Sequence, residues 1–536
     1  MSYSLIPESA PFNEEQRAWL NGFLAGWTGA MGDAAEGEAV AAQLGGGTAV
    51  LEAPAEEEED EDFPWHDPGL AIDERMDLAD GKPMKRRMMA AMAQLNCGAC
   101  GYLCQTYSEA IASGEESNLT LCSPGGKETA EMLKKLAKEA AADDSGEGAA
   151  AANGHAANGA AETNGAAKPA GYTRANPFTA AVVSCDNLNG EGSKKQTTHA
   201  VINLGDGDLA AQGLDYVVGD SLGVFPHNCP ELVDELLDHV GAKEDDVLRE
   251  QLINQYNLRD VEDELLERLA ELATDPGEAE AVRSLIDSDE LDSMDVLDVL
   301  RKAPSAKIGA AEFAGFLTEI APRLYSIASS LKAHPGEVHL TVGKATTKVG
   351  DRVHKGVAST MFADRLLPGA PLKVYVHRSH GFTVPADPNA PMVMVGPGTG
   401  IAPFRAFLEE RQATSAPGDN WLFFGDQHEA TDFLYREQLD AMAADGLPLR
   451  LSTAFSRDQD EKVYVQDRMR EHGAELFKWL EQGGYFFVCG DAKRMAADVD
   501  KALHAVVGEH GGLSWFDSKQ YVEKLKTEGR YVRDVY

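Results

Sequence analysis

Pro391-Met392-Val393-Met394-Val395-Gly396-Pro397-Gly398-Thr399-Gly400-Ile401-Ala402-Pro403-Phe404-Arg405 is the stretch that decides the architecture of this chain. A short apolar run gives way to three glycines in five residues and then to the helix-forming run PFRAFLEERQ. Glycines let a backbone approach a pyrophosphate closely, and a helix N-terminus offers unpaired N–H groups and the positive end of its dipole. Pro403 suits the first turn of such a helix. Alone, a glycine triplet also reads as an ordinary turn. Its place between strand and helix favours phosphate binding.

Toward the C-terminus the same alternation continues. Apolar runs NWLFFGD and YFFVCGD are interleaved with the helical patterns FLYREQLDAMA and KRMAADVDKALHAVVGEHG. That is a series of βαβ units, and predicts a parallel sheet over 389–536. Ser456-Arg457-Asp458 and Lys462-Val463-Tyr464-Val465-Gln466 place a hydroxyl, a guanidinium and an ammonium beyond a later strand. Arg clamps phosphate through two hydrogen bonds and Lys adds a point charge, so the group suits a phosphate monoester. The bland alternative is a solvated face.

Toward the N-terminus the period changes to two. EVHLTVGKATTKVG and LKVYVHRSHGFTVP are short alternating runs bounded by Gly and Pro, the style of an antiparallel barrel over 175–388. About 230–320 reads instead as helical (PELVDELLDHV, VEDELLERLAELA), an insertion in that barrel. Within it, Arg323-Leu324-Tyr325-Ser326-Ile327 starts a strand, with Arg323, Tyr325 and Ile327 on one side and Leu324 and Ser326 on the other. Tyr325 can stack on a flat ring and Arg323 can meet a phosphate. Lys355-Gly356-Val357-Ala358-Ser359-Thr360 is a second glycine-and-hydroxyl turn at a helix start.

Taken in order, Arg-x-Tyr-Ser, Gly-Val-Ala-Ser, Gly-Pro-Gly-Thr-Gly-Ile-Ala-Pro-Phe-Arg, Phe-Leu-Tyr-Arg-Glu, Ser-Arg-Asp, Lys-Val-Tyr-Val-Gln-Asp, Val-Cys-Gly-Asp-Ala and the final Arg530-Tyr531-Val532-Arg533-Asp534-Val535-Tyr536 closely resemble the flavoprotein (alpha) subunits of NADPH–sulfite reductases, within the ferredoxin–NADP reductase and diflavin reductase superfamily. The resemblance covers about 175–536. It implies FAD and NADPH as cofactors. It gives Arg323, Tyr325 and Ser326 to the flavin ring and its phosphate, and Gly356, Ala358, Ser359 and Thr360 to the FAD pyrophosphate. Gly398 and Thr399 would lie by the pyrophosphate and nicotinamide of NADPH, and Ser456, Arg457, Lys462, Tyr464 and Gln466 would select NADPH over NADH. Ser326, Cys489 and Asp534 match the polar set that assists hydride transfer. Tyr536 matches the aromatic residue that covers the flavin until nicotinamide displaces it. By itself Cys489 would read as a small buried hydrophobe. The family often has an aromatic residue near 345–350; here the stretch is Lys344-Ala345-Thr346-Thr347-Lys348.

The resemblance also implies a flavodoxin domain ahead of the barrel, and residues 1–174 lack its βαβ pattern. They contain instead a helical segment at 1–30, an acidic stretch at 31–80 that reads as disordered, a four-cysteine unit at 82–140, and an Ala/Gly/Asn-rich linker at 141–172. Four of the seven cysteines fall in that unit, as Cys97, Cys100, Cys104 and Cys122. Their spacing, C-x2-C-x3-C-x17-C, suits a [4Fe-4S] cluster. The segment resembles the four-cysteine iron–sulfur domain of Rnf B subunits, which usually carry one more residue between the second and third cysteines. Structural zinc is the alternative.

A formal charge of −40 argues against nucleic acid as a partner. No apolar run is long enough for a membrane helix and no secretory signal is visible, so the cytoplasm is expected. The expectation is a multidomain enzyme passing electrons from NADPH through FAD and a cluster to a redox partner. The resemblance makes that partner the sirohaem haemoprotein subunit of sulfite reductase. A stand-alone reductase serving an oxygenase or ferredoxin-like acceptor, and a scaffold subunit holding structural zinc, are the alternatives.

Overall fold

A computed structural model describes Trp65 and residues 70–94, 102–114, 116, 118–144, 171–205, 207–286, 288, 290–379 and 381–536. The expected helical segment 1–30 lies outside these residues, as do most of the acidic stretch and positions 145–170 of the linker.

The acidic stretch ends sooner than its composition suggests. Ile72–Leu78 is a helix. Its buried Arg75 donates from Nε to the Ala90 carbonyl at 3.0 Å and from NH1 to the Leu70 carbonyl at 2.7 Å. Asp73, Glu74 and Asp77 are exposed, so composition alone reads as disorder. With this helix, Met84–Ala91, Cys104–Ser113 and Gly126–Asp144 surround a small core of Met88, Met92, Tyr107, Ile111, Leu133 and Leu136. The cysteine unit therefore starts before residue 82, and its last helix runs past 140 into the expected linker.

Six strands form an antiparallel sheet: β1 Phe178–Asn187, β2 Thr197–Asn203, β3 Ser221–Val224, β4 Arg323–Ser326, β5 Glu337–Gly343 and β8 Pro371–His377. Their order is β4-β3-β8-β1-β2-β5, and an isolated antiparallel bridge from Ile327 to Leu340 joins the two edges. Alternate residues such as Ala200, Ile202, Val338, Leu340 and Val342 fill its interior. β6 Thr346–Val349 and β7 Arg352–Lys355 make a separate hairpin. Between β3 and β4 the chain builds helices from Pro230–His239 to Ala310–Ala314 around their own core of Leu and Val side chains. Prolines open two of these helices, and Asp245, Asp275 and Asp295 cap N-termini by accepting backbone N–H bonds.

The insertion is tied back to the hairpin by buried charge. Arg352 NH1 lies 2.6 Å from Asp295 Oδ1 and 2.5 Å from Asp298 Oδ1. His354 Nε2 lies 2.7 Å from Asp298 Oδ2, and Arg259 NH1 donates to His354 Nδ1 at 2.8 Å.

The remaining strands, β9 Met392–Val395, β10 Asn420–Asp426, β11 Leu449–Phe455, β12 Tyr485–Gly490 and β13 Tyr531–Val535, form a parallel sheet in the order β11-β10-β9-β12-β13. Chain direction across this sheet reverses between β9 and β12. In such sheets ligands bind beyond the carboxyl ends of the strands at that switch point. Among the described residues no helix is long and apolar enough to cross a membrane.

Arg405, buried on the helix Ala402–Thr414, joins the two sheets. It donates to the Ala328 carbonyl and to Gln438 Oε1 at 2.7 Å, and lies 2.8 Å from Glu409 Oε1. Glu409 in turn accepts from the Ser330 N–H at 3.0 Å. His339 Nδ1 accepts from Arg405 at 3.3 Å, which fixes its neutral tautomer. His199 Nδ1 is 2.9 Å from the Tyr435 hydroxyl. Burial first, and the Arg405 guanidinium second, push His339 down to about 2 and His199 down to about 4. An imidazole held neutral in the fold takes up its proton only on unfolding. Each therefore withdraws stability as pH falls below about 6.5, at about 1.4 kcal/mol per pH unit, until its folded value is reached. The urea midpoint is expected to fall between about pH 7.5 and about pH 5.5, and to fall less in His339→Gln. Equal falls in the two proteins would contradict this account.

Candidate functional site

The carboxyl ends of β12 and β13 meet β4 across the junction of the two sheets. Parallel register sets Cys489 beside Asp534. Ser326 Oγ donates to Asp534 Oδ2 at 2.7 Å, and Cys489 Sγ lies 3.9 Å from the same oxygen. Cys489 is fully buried. Burial, then the Asp534 charge beside it, push its thiol well up, so it stays an S–H donor. Burial also raises the Asp534 carboxyl, against the opposing pull of hydrogen bonds from Ser326 and Cys489.

Tyr536 completes this corner. Its N–H donates to the Gly490 carbonyl at 3.0 Å and its carbonyl accepts from Ala492 at 3.1 Å. Its hydroxyl is 2.8 Å from Thr399 Oγ1, while the residue stays 40% exposed. Backbone and side chain are thus pinned, with part of the ring facing out. Thr399 sits in the glycine turn after β9, where Gly398 adopts φ +58°. A Cβ on Gly400 would stand 2.2 Å from the Cys489 carbonyl oxygen, so only glycine lets this turn press against β12. Ser326, Cys489, Asp534, Tyr536 and Thr399 are therefore brought together from four separate stretches of chain.

The second glycine turn caps the helix Val357–Asp364. Gly356 N–H donates to the Ala345 carbonyl at 2.9 Å, and Ser359 Oγ accepts from Ala345 N–H at 3.1 Å. A Cβ on Gly356 would meet Ser359 Oγ at 2.5 Å. Thr360 is buried: its hydroxyl donates to the Gly356 carbonyl at 2.9 Å and accepts from Arg365 at 3.0 Å, so it serves the turn itself. Ala358 is buried as well, which leaves Gly356 and Ser359 as the partly open positions. Tyr325 packs edge-on against Phe362 of this helix, with ring centroids 5.7 Å apart. Arg323 donates to the Ala321 carbonyl at 2.7 Å.

Ser456 and Arg457 follow β11, anchored through backbone bonds to Asp426 and Gln427. Arg457 and Lys462 are exposed, and among the described residues neither has an ion-pair partner. Tyr464 starts the helix Val465–Glu471 and is 44% exposed; Gln466 is half-buried. Ser456 Oγ donates to the Asp426 carbonyl at 3.3 Å, while Arg457, Lys462 and Tyr464 lie exposed at the edge of the sheet.

In the cysteine unit, Cys104 opens its helix, Cys122 is buried, and both border the same apolar cluster. The Tyr107 hydroxyl ties the two stretches together: it donates to the Asn118 carbonyl at 2.6 Å and accepts from Leu121 N–H at 3.3 Å. A Cβ on Gly125 would come within 3.1 Å of Cys122 Sγ. Cys97 and Cys100 lie outside the described residues. Cys104 and Cys122 thus present two thiols at one apolar cluster, the soft donor chemistry that a metal–sulfur group would use.

Sequence reasoning overlooked Arg405, Glu409 and the pairing of Lys195 Nζ with Asp426 Oδ1 at 2.5 Å. A single Arg in a helical run carries no mark of burial. The only available signal was the presence of Arg405 at the end of the glycine motif.

Residues 394–501 match the family model described as oxidoreductase NAD-binding domain, and residues 171–260 and 250–361 match the FAD binding domain. The chain is 44% identical over 384 residues to the sulfite reductase [NADPH] flavoprotein alpha-component of Bacillus subtilis (strain 168), covering 68% of this chain and 62% of that protein. It is 42% identical over 379 residues to the protein of the same name from Photorhabdus laumondii, and 41% over 384 residues to that from Aliivibrio fischeri, again covering 62% of each. The chain thus spans about three fifths of the length of these curated relatives.

Gly400→Ala must push the glycine turn off the β12 backbone. Thermal melts should show a loss of about 1–3 kcal/mol together with weakened nucleotide binding. Unchanged melting and binding would show that the turn can yield.

Proposed function

We propose that this chain is an NADPH-oxidising flavoprotein reductase of the sulfite reductase alpha-component type, with FAD, NADPH and a [4Fe-4S] cluster as its cofactors. The observation that supports it most is the Ser326–Asp534–Cys489 group with Tyr536 on Thr399, at the meeting point of two sheets whose regions match FAD- and NAD-binding families. We read the six-stranded sheet, with its edges joined at Ile327 and Leu340, as the FAD-binding barrel. FAD, when bound, takes two electrons as a hydride and releases them singly.

The chain's own residues do the rest. Tyr325 and Ser326 stand on opposite faces of β4, so one can stack on a ring while the other reaches its edge. Ser326 and Cys489 hold protons on Asp534, a compact donor set at the ring edge where charge changes. Tyr536 shields that position and must swing aside for nicotinamide. Gly356 and Ser359 hold one pyrophosphate; Gly398 and Thr399 approach the other. Arg457 and Lys462, with Ser456, Tyr464 and Gln466 around them, take the 2′-phosphate. Cys97, Cys100, Cys104 and Cys122 hold the cluster, and Cys104 at a helix N-terminus gains from the positive dipole end. The unit stands where a flavodoxin domain is expected, and electrons leave it for a sirohaem haemoprotein subunit in the cytoplasm.

Anaerobic NADPH titration of the purified chain, with flavin and iron analysis, tests this reading. About one FAD and about four iron atoms per chain are expected, both bleached by NADPH. A chain that holds no flavin, or leaves NADPH unconsumed with every artificial dye, would overturn it. Zinc in place of iron would remove the cluster alone. Arg457→Ala should raise KM for NADPH about tenfold to a hundredfold and barely alter NADH kinetics, as expected for one charge-assisted phosphate contact. Equal effects on both nucleotides would take Arg457 out of the 2′-phosphate site.

A further inference from the structure

Among the described residues, Arg174, which no motif marked, links the cysteine unit to the flavin-side sheet. Arg174 lies just before β1, in a stretch held to the sheet by Tyr172, whose N–H donates to the Gln212 carbonyl at 2.8 Å and whose ring packs on Phe178 at 4.9 Å. The Arg174 guanidinium lies 3.7 Å over the ring of Tyr102, and its NH2 is 3.6 Å from Glu116 Oε2. Tyr102 also donates to Glu116 Oε2 at 3.2 Å and stacks on Tyr107 at 5.4 Å. A cleft between the two parts is lined by Thr106, Glu109, Ala110 and Ser113 from one side and by Tyr375 and His377 from the other.

Two periodicities give this contact its meaning. On the helix Cys104–Ser113, residues 106, 109, 110 and 113 form one stripe. Cys104, Tyr107, Ser108 and Ile111 form the opposite stripe, facing the core of the cysteine unit. The same helix thus holds a proposed cluster ligand on one face and the flavin-side sheet on the other, a separation of about 10 Å. On the sheet, Ser221 pairs with Ser326 on one side and with His377 on the other. Cross-strand partners share a face, so His377 and Ser326 look the same way, about 10 Å apart. Two residues along β3 on the same face, Gly223 makes room for the Tyr375 ring, which a Cβ there would meet at 2.1 Å.

We propose that the Arg174–Tyr102–Glu116 contact is the docking surface through which the cysteine unit receives electrons, one at a time, from the flavin beside Ser326. This rests on the proposed cluster; the step itself is one electron out of the reduced flavin and one into the oxidised cluster, with NADPH as the source. Among the described residues this surface includes a cation–π stack and an ion pair of partly exposed side chains, contacts of the modest strength that repeated release requires. Arg174 stands four residues beyond the 145–170 stretch, so the dock sits where the tether rejoins the sheet.

The test uses the full chain, reconstituted anaerobically, as wild type, Arg174→Ala and Glu116→Gln. Flavin reduction by NADPH and dye reduction directly from flavin should be unchanged, as should iron per chain. Stopped-flow reduction of the cluster should slow about tenfold in Arg174→Ala, and hydrogen exchange should quicken in 104–113 and 371–377. Unaltered cluster reduction together with unaltered exchange would overturn the docking surface. A wild-type chain without iron would end the cluster reading, while protection of 104–113 lost in Arg174→Ala would still establish the contact.

Discussion

Everything at the candidate site hangs on one hydrogen bond made between two sheets: Ser326 belongs to the antiparallel sheet and its acceptor, Asp534, to the parallel one. Neither sheet can supply both partners. What holds them within 2.7 Å is the buried Arg405–Glu409 pair on one sheet's helix: the guanidinium donates to the Ala328 carbonyl and the carboxylate accepts from the Ser330 N–H of the other side. Burying a charge is expensive, and stripping one partner from a buried pair is severely destabilising. The junction therefore resists sliding, and a site built from both sides inherits that rigidity.

The parallel sheet was legible because its strands are apolar on both faces and its turns are rich in glycine, and both features follow directly from burial and phosphate approach. The antiparallel sheet was legible from its period of two. The limits came where one residue type admits two environments. Thr360 sits in a hydroxyl-rich turn, yet its oxygen serves Gly356 and Arg365; composition cannot say which hydroxyl faces outward. Arg75 and Arg405 look like surface cations and are buried. The helix Ile72–Leu78 was hidden by acidic residues that point to solvent, as an amphipathic helix requires. Cys489 and Asp534, by contrast, fall together simply because adjacent parallel strands keep register.

The cysteine unit shows how little core a small domain can work with. Its apolar cluster is a handful of Met, Leu, Ile and Tyr side chains between four helices, and domains of this size usually need a staple. Thiols converging on that cluster, with a metal group among them, would supply it, and fold and redox chemistry would then share one origin.

The helical insertion looks detachable, since it closes a core of its own. The ion cluster denies it that freedom. Asp295 and Asp298 at the head of one of its helices are the counter-charges for Arg352, two residues before His354 and four before Gly356. Trimming the insertion away would strand a half-buried guanidinium at the root of the flavin-side turn. An apparent appendage is in this way a foundation, and any attempt to shorten the chain must begin by replacing those two carboxylates.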